Sequence, residues 1–141
     1  MLLVLDTNVV SELMRPRPDP AVLAWVDARP VTAMAITAIT VLEIRSGIAY
    51  LPEGARKLGL EAKFRRFVAR GFAGRVLPFD EEAAESCAAL RAERRRQGRA
   101  SSTEDVMIAG IVLQRGATIV TRDGDFADYG VPVVDPWGPD E

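Results

Sequence analysis

The chain has 141 residues, a formal charge of −2, one cysteine and no histidine. That length suits one domain with a real core, and the near-balanced charge excludes a strongly basic nucleic-acid coat. The missing histidine excludes Ser-His-Asp and Cys-His catalysis and the usual zinc hydrolases, while the lone Cys87, read as a core thiol, excludes an internal disulfide and a cysteine-rich zinc site. No long apolar run or basic leader precedes Asp6, so the expectation is no membrane span, no secretory signal and a cytoplasmic location.

Leu2 to Leu5 lacks polar alternation, which predicts a short strand buried on both faces in a parallel sheet. Asp6 then either stands at the strand's carboxyl end, where open α/β sheets form ligand sites, or caps a helical turn over Val9 to Leu13. Pro16, Pro18 and Pro20 make the next stretch a connection. Ala21 to Val26 resumes helical spacing and Pro30 ends it; Val31 to Ile36 predicts a second strand. A helix is expected from Thr40 to Tyr50, and another from Ala55 to Arg70 with Leu60, Phe64 and Phe67 on its core stripe.

Arg75 to Phe79 predicts a third strand, after which Asp80 caps a helix that turns Ala83, Cys87 and Leu90 inward and stops at Gly98. Ser102 starts a helix ending near Arg115 that is apolar nearly all round, hence buried against the sheet. Thr118 to Thr121 predicts a fourth strand leading into the turn Asp123-Gly124-Asp125, and Val131 to Val134 a short edge strand where Pro132 is tolerated. Trp25 and Trp137 read as core or interface residues, and Gly138 to Glu141 as a loose tail. The alternation predicts an α/β three-layer sandwich: a central, mostly parallel sheet of four to five strands flanked by helices, in one domain over residues 1–137. The turn after the first strand reads Asp-Thr-Asn, so the dinucleotide fingerprint is absent, as is a P-loop.

Asp6, Glu43, Asp105 and Asp123 each fall where an element begins or ends near one predicted rim of the sheet. Each has a structural alternative: Thr40-Val41-Leu42-Glu43 matches a capping box, Ser102-Thr103-Glu104-Asp105 its looser form, and Asp123-Gly124 is ordinary turn chemistry. Two carboxylates about 5 Å apart repel by roughly 3 kcal/mol at an effective dielectric near 20, so a cluster of them calls for a cation. Oxygen-only ligands select Mg²⁺ or Mn²⁺.

The chain resembles the PIN-domain ribonucleases, in particular the VapC-type toxins of prokaryotic toxin–antitoxin pairs. The resemblance rests on Leu-Asp-Thr-Asn at Leu5 to Asn8, Thr40 to Ile44 with Gly47 beyond, Glu104 to Ala109, and Thr121 to Phe126. It implies that Asp6, Glu43 and Asp105 are metal ligands and Asp123 a fourth acid, all catalytic, with Asn8 and Thr121 supporting them by hydrogen bonds. Only Gly124 stands between Asp123 and the Asp125-Phe126 pair, one residue fewer than in many such proteins, so Asp123, Asp125 or both are candidates for the fourth position.

The implied activity is metal-dependent endoribonucleolytic hydrolysis of RNA, leaving a 5′-phosphate and a 3′-hydroxyl; the implied partners are a protein antitoxin and a second copy of the chain. Arg91, Arg94, Arg95, Arg96 and Arg99 run just ahead of Asp105 and are either RNA-backbone contacts or a solvated helix face. The alternative readings are a non-catalytic PIN-like module that binds RNA or protein, and a phosphotransfer protein with Asp6 as nucleophile. The latter design calls for a nearby lysine, and Lys57 and Lys63, the only two, lie in a predicted surface helix.

Overall fold

Leu3, Val4 and Leu5 are all buried because they form the middle strand of a sheet covered on both sides. The computed structural model describes residues 1–72 and 75–138. Its strands are β1 (Leu3–Leu5), β2 (Met34–Thr37), β3 (Val76–Leu77), β4 (Thr118–Val120) and β5 (Val133–Val134). Its helices are α1 (Thr7–Leu13), α2 (Pro20–Asp27), α3 (Ala38–Ala49), α4 (Ala55–Gly71), α5 (Glu81–Arg96) and α6 (Thr103–Gln114). The strand order is β3-β2-β1-β4-β5 and every neighbouring pair is parallel.

The two faces follow from the strand period of two. Val4, Ala35 and Ile119 join a core with Ala83 and Cys87 of α5 and Val106, Ile108, Ile111 and Val112 of α6. Leu3, Leu5, Met34, Ile36 and Val120 face the other way, onto Val9, Val10, Val22, Trp25, Ile44, Ile48 and Phe64 of α1 to α4. This is the three-layer arrangement the sequence predicts. At Gly110 a Cβ would stand 2.9 Å from the Ala83 carbonyl oxygen and 2.9 Å from the Cys87 Cβ, so α5 and α6 approach as closely as glycine alone allows. No helix among the described residues is long and apolar enough to cross a membrane.

Several boundaries differ from the sequence reading. Val31–Ala33 is a 3₁₀ turn ahead of β2, since Pro30 presets a turn before the strand can begin. The helix expected to open at Thr40 begins at Ala38, capped by Thr37, whose Oγ1 accepts from the Thr40 amide at 3.1 Å. Glu43 therefore lies in the second turn of α3, and its proposed capping box with Thr40 does not form. Beyond Asp123 the chain makes an unforeseen 3₁₀ turn, Gly124–Tyr129, that buries Phe126 and Tyr129. Of the expected loose tail, residues 139–141 lie outside the described residues, while the Gly138 amide bonds back to the Asp135 carbonyl at 3.3 Å.

Topology places the site. The chain steps from β1 to β2 to β3 in one direction, then returns to the opposite side of β1 with β4 and β5. The reversal lies between β1 and β4, and crevices at the carboxyl ends of such strands are where ligand sites of open α/β sheets form.

Candidate functional site

Asp6 reconciles its two sequence readings by doing both jobs. Its backbone amide pairs with the Val120 carbonyl at 2.9 Å, extending the β1–β4 ladder, and its Oδ1 accepts from the Thr7 amide at 2.8 Å as the N-cap of α1. Its Oδ2 accepts from the Thr121 hydroxyl at 2.8 Å, across the switch point. The carboxylate is 5% exposed. Burial pushes its pKa from 3.8 up to about 6, against the lowering effect of the Thr121 and Thr7 hydrogen bonds and with further upward pressure from the negative charges of Asp105 and Glu43.

Thr121 is the hub of this network. Its Oγ1 accepts from Asn8 Nδ2 at 2.9 Å and from the Asp123 amide at 3.0 Å while donating to Asp6. One hydroxyl thus ties the end of β1, the start of α1 and the loop after β4 together. The Asn8 Oδ1 is buried and has no partner among the described residues.

Glu43 reaches the crevice from α3 and accepts from the Thr7 hydroxyl at 2.7 Å. Thr7 has one hydroxyl proton, and this bond uses it. The 3.0 Å contact between Thr7 Oγ1 and Thr40 Oγ1 is therefore donated by Thr40, which in turn accepts from Thr37 at 3.5 Å. Burial raises the Glu43 pKa first, Thr7 lowers it, and the Asp105 and Glu104 charges raise it further.

Asp105 sits at the third position of α6, where its amide donates to the Ser102 hydroxyl at 3.0 Å as the sequence pattern suggests. Burial is the main reason its pKa is raised; Ser102 opposes, while Asp123, Asp125 and Glu104 add repulsion. Asp123 is half-buried and caps the 3₁₀ turn through the Asp125 amide at 2.9 Å; Asp125 is exposed. The acids predicted from sequence thus feel one another around one rim of the sheet.

No basic side chain forms an ion pair with any of these five acids among the described residues. Lys57 is held by Glu53 at 2.6 Å and Lys63 donates to the Met14 carbonyl, so neither lysine is engaged with Asp6. Among the described residues no three acidic or cysteine side chains close into a ready-made cage. A hard divalent cation still fits the donor chemistry: oxygen donors only, three of them pushed above their ordinary pKa by burial and by nearby carboxylates.

The arginines divide. Arg91 and Arg95 are exposed, Arg96 pairs with Glu93 at 2.7 Å and Arg99 with Asp128 at 3.0 Å. Arg94, grouped with them in sequence, turns inward instead: it donates to Ser101 Oγ and to the Ala100 carbonyl and lies 4.5 Å from the centre of the Tyr129 ring. The residue that sequence reasoning passed over is Thr7, whose position between Asp6 and Asn8 was the available signal.

A family model described as "PIN domain" matches residues 3–132. The chain belongs to the PIN-domain family. This PIN domain is 40% identical over 139 residues to "VapC ribonuclease Y4jK" of Sinorhizobium fredii, covering 98% of this chain and 99% of that protein. It is 39% identical over 137 residues to "Toxin FitB" of Neisseria gonorrhoeae, covering 96% of this chain and 99% of that protein. In three dimensions it superposes on a chain of the FitAcB crystal structure from Neisseria gonorrhoeae with a TM-score of 0.89 and 39% identity, across 96% of this chain and 99% of that one.

Proposed function

We propose that this PIN domain is a metal-dependent endoribonuclease and the toxin of a toxin–antitoxin pair, working in the cytoplasm as one domain over residues 1–137. The observation that carries the reading is the group of acids at the β1–β4 switch point, electrostatically coupled and without a cationic partner among the described residues. Near full-length similarity to a protein named a ribonuclease and to one named a toxin supports it. Its RNA substrate, protein antitoxin and second copy of the chain follow from the family likeness.

Asp6, Glu43, Asp105 and Asp123, with Asp125 as the alternative fourth acid, would hold Mg²⁺ or Mn²⁺. When bound, such an ion supplies a water of lowered pKa and neutralises charge on the departing oxygen. The protein's own part is positioning. Thr121 and the Thr7 amide fix both oxygens of Asp6, the Thr7 hydroxyl aims Glu43, and Asn8 braces Thr121. Arg91, Arg95, Arg96 and Arg99 remain near enough to solvent to meet RNA; the inward-facing Arg94 is not a free surface contact.

The decisive test incubates the purified protein with RNA and Mg²⁺ or Mn²⁺, maps the cut ends, and repeats the reaction with Glu43→Gln and with Asp6→Asn. Expected are 5′-phosphate ends and loss of cleavage in both variants, with Mn²⁺ binding by titration calorimetry lost alongside. Cleavage that persists in EDTA, or in either variant, would end this reading. The non-catalytic alternative gives no reason for a Mn²⁺ site that disappears with Asp6.

A further inference from the structure

A cavity of about 660 Å³ lies between the end of α5 and the first turn of α6, lined by Arg91, Arg94, Arg95, Arg99, Ser102 and Thr103 among others. Thr103 and Val106 both line it and bracket Asp105 in the chain, so it opens within one helical turn of a site acid. Four guanidinium groups at one cavity repel one another, and an ordinary solvated helix face relieves that with interspersed carboxylates. Among the described residues only Arg99 of these four has such a partner, Asp128.

Arg94 makes the imbalance internal. It is 7% exposed, its hydrogen bonds go to an uncharged hydroxyl and a carbonyl, and its buried Nη1 has no partner among the described residues. The Tyr129 ring offers it only a partial counter-charge. A buried cation left without an anion is costly, and the cavity it lines is the place from which one can be supplied. The hydroxyls of Ser102 and Thr103 line the same cavity and can donate to the same kind of guest.

We propose that this cavity is a phosphate subsite that holds a backbone phosphodiester of the RNA next to the bond being cut. The proposal rests on the ribonuclease reading above and adds to it where the strand is gripped. Guanidinium forks match the paired oxygens of a phosphodiester. The acids at the strand ends deal with the reacting phosphate, and the arginines hold its neighbour without neutralising those acids.

The test is the exposed double variant Arg91→Gln/Arg95→Gln, which leaves the buried Arg94 and hence the fold undisturbed. A short single-stranded RNA is the probe, in cleavage assays and, in an Asp6→Asn background without divalent ions, in binding assays across salt concentrations. Expected is a KM raised about tenfold with kcat within about threefold, and a salt slope reduced by about 0.7 for each phosphate contact removed. A control with the same charge loss elsewhere, Arg65→Gln/Arg66→Gln on α4, should move KM less than about twofold, because long-range charge is screened within about a Debye length. If the double variant matches wild type in KM and slope while wild type still cuts RNA, the subsite is wrong and the ribonuclease reading stands. If inorganic phosphate or a mononucleotide protects wild type but not the double variant from thermal unfolding, and RNA binding is unchanged by the substitutions, the cavity is a small-anion site and the RNA assignment falls. If wild type neither binds nor cuts RNA, both readings fall together.

Discussion

Asp6 and Arg94 are both charged and almost fully buried, and among the described residues neither is paired with an opposite charge. Each is held instead by neutral groups: Asp6 by a threonine hydroxyl and an amide, Arg94 by a serine hydroxyl, a carbonyl and the face of a tyrosine. Had the fold been selected for stability alone, a direct pair between such groups, or their replacement by apolar side chains, would be the easier solution. Keeping them apart preserves an acidic crevice and a basic cavity, each short of a counter-charge. Uncompensated burial of charge is a stability penalty that a binding site has reason to retain.

The largest effect that would break this comparison comes from Asp6→Asn. It should lower RNA cleavage by at least about 10³-fold, in line with loss of a central electrostatic element, while raising the stability of the metal-free protein at pH 7 by about 1 to 3 kcal/mol, because the buried charge is gone. Urea unfolding beside a cleavage assay reads both. A metal-free variant less stable than wild type would mean that the buried charge is compensated by its surroundings, since asparagine caps a helix as well as aspartate does.

Next comes pH. A folded-state pKa of about 6 against an ordinary 3.8 means that folded Asp6 binds its proton more tightly than unfolded Asp6. Metal-free stability should therefore be highest below about pH 4 on this account and fall by about 3 kcal/mol as pH rises through 6, with the raised pKa values of Glu43 and Asp105 pushing in the same direction. Mn²⁺ should reverse the trend, raising the melting temperature more at pH 7.5 than at pH 5. A Mn²⁺ effect independent of pH would separate the cation from these acids.

Thr7→Val sharpens the distinction between holding an acid and being one. It removes the donor to Glu43 but leaves all five carboxylates in place. Cleavage should drop about tenfold to a hundredfold, less than for Glu43→Gln, with stability lowered by about 1 to 3 kcal/mol, as for the two hydrogen bonds that the hydroxyl makes. Equal losses from Thr7→Val and Glu43→Gln would mean that Thr7 does more than aim its neighbour.

The smallest effect on chemistry is expected in the apolar layer. Gly110→Ala drives a methyl group against backbone of α5 and should destabilise the fold by about 1 to 3 kcal/mol, with KM and kcat unchanged at a temperature where the variant is folded. A changed KM there would tie the packing of α5 on α6 to the basic cavity between their ends.

Much of this was legible beforehand because it is local. The apolar run ending at Asp6, the Asp80 and Ser102 caps and the stop at Gly98 are decided by neighbours within a few positions, and all appear where the sequence puts them. The start of α3 was misread because Thr37 and Thr40 are both good caps. Packing settled the competition by extending β2 to Thr37 and leaving Thr40 buried beneath Thr7.

The sequence by itself determined the layered α/β architecture, the run of acids at strand ends and helix starts, and the absence of any histidine to help them. Tertiary structure alone decided which hydroxyl serves which acid and which arginine turns inward. Thr121 and Asp6 are 115 positions apart and meet only because β4 lies beside β1; Arg94 differs from Arg95 only in the side of α5 it occupies. Hydrophobic period and capping are written within a turn or two of chain, whereas hydrogen-bond partners and buried charge depend on sheet order, which no single stretch carries.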